Sequence, residues 1–410
     1  MHTNEAKLFT GQPVLNQLLR LIPPVLVGRL SKKYDTDRYC KTFFTKDHVV
    51  TMLANSFMRC SSLQELISGL QANAHRLLHL GLVNTPRKST LADANVRRTE
   101  SFFGALFLGL HMRYFRFSPD SPLGKRRMKE HVYIFDSTTI TLFSDVLHGT
   151  GRYALNGKKK GGAKAHVLMR EEDDVPCFID LTEGKKHDQH ILPMIKLPQG
   201  SILVFDMGYA SYKQWRIWAK EGYWWVTRLK DGSVVEVLKE LPVTAAQAKA
   251  GVVSDQLVRL GNDKNNVQAR LVCYHDPKTA KQFAFISNNQ AWAPTTVARL
   301  YKQRWDIEQL FKRVKQNYPL RHFLGDSANA IKIQIWCAFI ADLLLQVVHR
   351  NAKRENGRKW TFANIAGLVR IHMNNYIDLM AFLRDPKSAL LNYEPADHHR
   401  PNQLQLFVSG

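Results

Sequence analysis

Apolar positions recur every three to four residues from residue 13 to about 115, as in Val14, Leu18, Leu19 and Ile22, and again in Leu63, Leu66, Ile67 and Leu70. That period lays each set along one helix face and predicts a helical N-terminal region. Ser61 to Leu80 reads as one helical run, broken by Gly81 and Asn84-Thr85-Pro86. Ser89-Thr90-Leu91-Ala92-Asp93 then reads as a hydroxyl-capped helix start. The helix it opens carries Asn95, Arg97 and Arg98. This arrangement is compatible with a helix-turn-helix reading head and equally with a plain helical hairpin bearing a solvated basic face.

Residues 116 to 130 are loop-like, with Ser118-Pro119 and Ser121-Pro122 before Lys125-Arg126-Arg127, and mark a boundary. The period then changes. Val132 to Phe143 is rich in β-branched and aromatic residues and polar only around Asp136-Ser137-Thr138-Thr139. Ala165–Arg170 and Val175–Leu181 form a hairpin around four acids. Ser201 to Phe205 is a buried-type strand ending at Asp206. Ser211 with Gln214 makes a capping box for a helix through Lys220, and Tyr223–Arg228 is another strand. That order predicts a mixed α/β sheet. Residues 231 to 290 are again strand-like, with runs at Val234–Leu238, Val252–Leu260, Val267–Tyr274 and Phe283–Ile286. Pro294 to Asn317 reads as one long helix, and further helices run on from Ile331. The divisions expected are 1–125, 126–230, 231–290, 291–350 and 351–410.

Charge narrows the class. With 58 Lys and Arg against 35 Asp and Glu, the formal net charge is +23, which points to a polyanionic partner, above all nucleic acid. A membrane is disfavoured: the most apolar run, Ile333 to Val348, contains Gln334, Asp342 and Gln346 and reads as a buried core helix. The N-terminus shows no apolar signal segment. Five cysteines without a C-x-x-C pair fit reduced thiols in a cytosolic protein.

Three acids stand out. Asp136 lies inside an apolar strand, where a charge costs several kcal/mol unless it is paired or binds a cation. Asp206 ends a buried strand, where α/β sheets place their sites. On a helix over 301–315, Tyr301, Arg304, Glu308 and Lys315 fall within an arc of roughly 60°, with Lys312 beside them, while Ile307, Leu310 and Val314 face the other way. Convergent carboxylates suit a pair of Mg²⁺ ions about 3.5–4 Å apart acting on phosphodiesters. Arg304 and Lys315 would grip neighbouring phosphates, and Tyr301 would hydrogen-bond to one.

These residues resemble the insertion-sequence 4 family of bacterial transposases. The likeness rests on Tyr-x₂-Arg-x₃-Glu-x₆-Lys (Tyr301, Arg304, Glu308, Lys315), on YIFDSTTI (133–140), on VFDMGYASY (204–212) and on TEGKKHD (182–188). It covers about residues 130–350. It implies an α/β fold: a ribonuclease-H-like mixed-sheet catalytic core with a β-rich insertion, between helical N-terminal and C-terminal regions. It implies a cut-and-paste DNA transposase using two Mg²⁺ ions, or Mn²⁺ in their place, with Asp136, Asp206 and Glu308 as catalytic metal ligands. Its partners would be double-stranded DNA, as terminal inverted repeats and target, and a second subunit in a synaptic homodimer. It would be a cytoplasmic, nucleoid-associated bacterial protein. The DNA-contact set expected is Tyr301, Arg304, Lys315, Lys312, Arg228, Lys164, Arg97 and Arg98. Lys158–Lys160 is a further candidate, and Trp292 is a candidate for stacking on a flipped base. The rival readings are a non-catalytic DNA-binding relic and a nuclease on the same core.

Overall fold

The computed structural model describes residues 12–115, 131–142, 161–186, 188–262, 266–277, 279–355 and 360–387. The expected boundary at 116–130, Lys158–Lys160 and His187 lie outside them. Helices α1 (Val14–Leu19), α2 (Pro24–Lys33), α3 (Thr45–Met58), α4 (Leu63–Ala72), α5 (Ala74–Leu77), α6 (Lys88–Arg97) and α7 (Glu100–Tyr114) precede the sheet. The run expected from Ser61 to Leu80 is thus split. The Asn73 amide folds back onto the Gly69 carbonyl at 2.9 Å, a local bond that competes with helix continuation. The expected hydroxyl cap before α6 is also absent: Arg87 takes the cap position without a side-chain bond.

The strands are β1 (Val132–Thr141), β2 (Gly162–Arg170), β3 (Pro176–Glu183), β4 (Ile202–Phe205), β5 (Trp224–Arg228), β6 (Val235–Leu241), β7 (Val252–Leu260), β8 (Val267–His275) and β9 (Gln282–Ser287). They form one nine-stranded sheet in the order β3-β2-β1-β4-β5-β9-β8-β7-β6. The first three strands are antiparallel, and β1, β4 and β5 run parallel, the arrangement of a ribonuclease-H-like core. The β-rich segment after residue 231 is not a detached body. Its last strand, β9, pairs antiparallel with β5 through Val226↔Ser287 and Arg228↔Phe285, so the segment prolongs the core sheet. The buried Arg270–Asp255 ion pair joins β8 to β7, and Arg270 also donates to the Gln290 carbonyl at 2.9 Å, tying the extension to the chain that follows β9.

Side chains alternate across the sheet, and each face has its own cover. Helix α8 (Tyr212–Lys220) lies on one face, where Trp215 and Trp218 pack with Phe135, Phe205 and Trp225. Its expected Ser211 cap makes no bond, and Gln214 is buried. The opposite face meets α10 (Pro294–Gln303) over Ile202, Val204 and Val226, and α11 (Trp305–Asn317) over Ile134. Between α8 and α10, α9 (Ala245–Lys249) flanks β7. Helices α12 (Ala328–Glu355), α13 (Phe362–His372) and α14 (Leu379–Arg384) are the last of the described elements. Helix α12 is the one described helix long and apolar enough to cross a membrane, yet 94% of its most apolar stretch is buried. It is the core helix against which α3, α7 and α11 pack.

Candidate active site

Strands β1 and β4 run parallel in register Phe135↔Phe205, so the next residues, Asp136 and Asp206, stand side by side. Both project to the face covered by α10 and α11, because Ile134 and Val204, two residues back, pack there. The long helix expected over Pro294–Asn317 is broken at Arg304, whose N–H bonds the Tyr301 carbonyl three residues back at 3.0 Å. Each half packs on its own strands, α10 on β4, β5, β8 and β9 and α11 on β1. The apolar period runs through the break, so sequence alone reads one helix.

At that break the motif residues meet the acids. Arg304 donates through Nη1 to Asp136 Oδ2 at 2.8 Å and through Nη2 to Glu308 Oε1 at 2.7 Å. Tyr301 donates its hydroxyl to Asp206 Oδ1 at 3.3 Å. Ser137 N–H donates to Asp136 Oδ1 at 2.8 Å. The Tyr301 ring is buried, and burial pushes its hydroxyl up to about 12, so it stays a donor. Arg228, on the same face at the end of β5, stacks over Phe283 at 5.4 Å. Lys312 and Lys315 are exposed on α11, one and two turns beyond Glu308.

Several expected DNA contacts are placed elsewhere. Arg98 is 5% exposed and donates to the Thr36 and Phe43 carbonyls, so its guanidinium holds the N-terminal helices together and cannot reach a phosphate. Asn95 is buried against His48. Arg97 stays on the surface, paired with Asp93 at 3.0 Å. Lys164 lies on the far side of the sheet, where Asp188 takes its ammonium at 2.9 Å. That carboxylate also accepts from Ser137 Oγ at 3.4 Å, so it supports the strand bearing Asp136 from behind. The sequence marks Asp188, at the end of TEGKKHD, as either a supporting group behind the acids or a plain turn residue; its pairing with Ser137 and Lys164 shows only in the fold. Trp292 is half-buried and packs edge-on against Trp224 at 6.3 Å, beside the core.

Burial pushes the Asp136 carboxyl from its ordinary 3.8 up to about 6; the Ser137 N–H and Arg304 oppose the rise, and the Asp206 and Glu308 charges add to it. The folded chain holds this proton more tightly than the unfolded one. The associated stability is fully present below pH 3.8 and is lost as pH climbs through about 6, a difference of about 3 kcal/mol. In EDTA, Asp136→Asn is expected to be more stable than wild type above pH 6, with the gap closing towards pH 4. Urea unfolding from roughly pH 4 to 8 measures it; a gap that does not change with pH would refute the raised carboxyl.

Asp136 and Asp206 on the sheet and Glu308 across Arg304 carry hard oxygen donors, the chemistry that divalent Mg²⁺ or Mn²⁺ prefers. Among the described residues no three His, Cys, Asp or Glu side chains come close enough to share one metal ion. Arg304 instead supplies the positive charge between Asp136 and Glu308. The donor atoms are of the kind a divalent cation takes, and the guanidinium marks where positive charge is wanted.

A mixed sheet of this order, with Asp136 and Asp206 at the ends of its parallel strands, is the arrangement of a ribonuclease-H-like enzyme core. A sequence profile described as "Transposase DDE domain" matches residues 127–344, and the chain belongs to that family of transposases. A second profile, a domain of unknown function (DUF4372), matches residues 10–83. "Putative transposase y4zB" of Sinorhizobium fredii is 30% identical over 270 residues, which is 65% of this chain and 72% of that protein. "Probable transposase for insertion sequence element IS5377" of Geobacillus stearothermophilus is 25% identical over 238 residues, 58% of this chain and 61% of the relative. A piggyBac transposase synaptic complex with hairpin DNA, solved by electron cryomicroscopy, aligns over 93% of this chain and 80% of its own at a TM-score of 0.44 and 11% identity. The chain is thus a DNA transposase, an enzyme that cleaves and joins DNA and depends on a divalent metal.

Proposed function

We propose that Asp136, Asp206 and Glu308 are the catalytic carboxylates of a cut-and-paste transposase acting on the terminal inverted repeats of an insertion sequence. The observation that carries this reading is the convergence of Asp136 and Asp206 on one sheet face, with Arg304 linking Asp136 to Glu308. A pair of Mg²⁺ ions held there would activate the attacking water or 3′-hydroxyl and neutralise the leaving oxygen.

The chain's own groups do the rest. Tyr301 fixes the rotamer of Asp206, and Ser137 fixes that of Asp136. Glu308 serves a metal only when Arg304 gives up their pair, and the released guanidinium then has a phosphate of the bound strand as its bidentate partner. Lys312 and Lys315 continue the positive track along α11, and Arg228 flanks it. The helical region 1–125, Arg97 included, recognises the repeat. Helices α13 and α14 pack behind this core, and a homodimer brings two ends together.

Labelled DNA carrying the element's terminal repeat, incubated with Mg²⁺ and target plasmid, tests the reading. Nicks at the repeat boundary followed by joining to the plasmid are the expected products. Cleavage without any joining would reduce the chain to a nuclease, and repeat binding with no cleavage in Mg²⁺ or Mn²⁺ would make it a DNA-binding relic.

A further inference from the structure

Beyond the acid site, α11 ends against a group of arginines drawn from three distant segments. Arg59 closes α3 in the left-handed conformation, φ 60°. Its Nη2 donates to the Gln316 carbonyl at the end of α11, at 2.8 Å. Arg321 lies in the turn after α11, and Arg370 in the last turn of α13, which packs on α3. All three are exposed, and among the described residues none forms an ion pair with a carboxylate. Burial of part of the side chain, with the like charges of Arg370 and Arg321, pulls the Arg59 guanidinium below its ordinary value. Glu65, an acid near His322 in the same region, is already taken up by the Ser61 N–H and hydroxyl at 2.7 Å.

Three guanidiniums near one another without a carboxylate partner repel, and an arrangement of this kind is stabilised when a polyanion covers it. We propose that Arg59, Arg321 and Arg370 form a docking surface for the phosphate backbone of duplex DNA flanking the cleavage point. The placement suits that role. From Glu308 to Gln316 α11 runs about 12 Å, or three to four base pairs at about 3.4 Å each. Lys312 and Lys315 project from the helix along that interval. DNA seated at the acids therefore meets the arginines a few base pairs away. Contacts of this kind position the duplex without reading its sequence. This surface deepens the transposase reading and assigns DNA contact to residues outside the catalytic core.

The test is the salt dependence of binding to a mixed-sequence duplex of about 30 base pairs, roughly 100 Å long, followed by fluorescence anisotropy. Wild type is compared with Arg321→Ala/Arg370→Ala and with Lys213→Ala/Lys220→Ala, exposed lysines of α8 on the other face of the sheet. Both double variants remove two positive charges, and matching melting temperatures establish that both are folded. The arginine pair is expected to flatten the log affinity against log salt slope by about 1.8, at about 0.9 per phosphate contact, and the lysine pair to leave it unchanged. Equal slopes for the two double variants would overturn the surface, whether both fall or neither does. Absence of any salt-dependent binding by wild type would instead overturn DNA binding as a whole.

Discussion

Glu308→Gln and Asp206→Asn are expected to lower the rate of DNA cleavage by at least about a thousandfold while DNA affinity stays within a few-fold of wild type. Each change keeps shape and hydrogen-bonding capacity and removes one negative charge. A divalent ion contributes several kcal/mol to the charge balance of phosphodiester attack, and about 1.4 kcal/mol is a factor of ten in rate. Loss of about 4 kcal/mol gives the expected figure. The fold gives no reason for collapse: in Glu308→Gln, Arg304 keeps Asp136 at 2.8 Å, and in Asp206→Asn the Tyr301 hydroxyl still has an acceptor. Single-turnover cleavage of labelled terminal-repeat DNA, with binding measured in Ca²⁺, separates chemistry from affinity. Either variant cutting within tenfold of wild type would remove that residue from the catalytic set.

Much of this site is legible in the sequence, for a physical reason. A carboxylate within YIFDSTTI or after ILVF is conspicuous because its neighbours belong in a core, and strand β7 falls at Val252–Leu260, where the strand-like run places it. The pairing of β5 with β9 is a different matter. Both read as strands, but which edge a strand joins depends on contacts between residues such as Val226 and Ser287, far apart in the chain. The fate of a cation is hidden for the same reason. Arg98 and Lys164 look like DNA-binding residues until Thr36, Phe43 and Asp188 arrive from elsewhere to occupy them. Conversely Arg59, Arg321 and Arg370 are unremarkable one at a time and become a surface only after folding. The helix break at Arg304 leaves no mark on the apolar period, since the turn there shifts the helix without changing which residues are buried.

Asp342→Ala and Arg313→Ala are each expected to destabilise the fold by about 3–5 kcal/mol, the usual cost of removing one partner of a buried ion pair. Asp342 is 1% exposed in the centre of α12, and Arg313 of α11 grips both its oxygens through Nε at 3.0 Å and Nη2 at 2.8 Å. The same guanidinium donates to the Asp174 carbonyl at 2.7 Å, so one side chain ties α11 to α12 and to the β2–β3 turn. Burial pushes the Asp342 carboxyl up, while Arg313 and Tyr318 pull it down. In Arg313→Ala that restraint is gone, and the orphaned carboxyl is expected to take up a proton. The Arg313→Ala defect is therefore expected to lessen as pH falls, whereas Asp342→Ala, which strands a guanidinium that stays charged, gains no such relief. Arg313→Leu/Asp342→Leu, leaving no buried charge, is expected to be more stable than either alanine variant. Chemical denaturation of the three variants measures the cycle. A cost below about 1 kcal/mol for both single changes would show that the pair is solvated, and that α11, with Glu308 on it, is held by its apolar stripe of Ile307, Leu310 and Val314 alone.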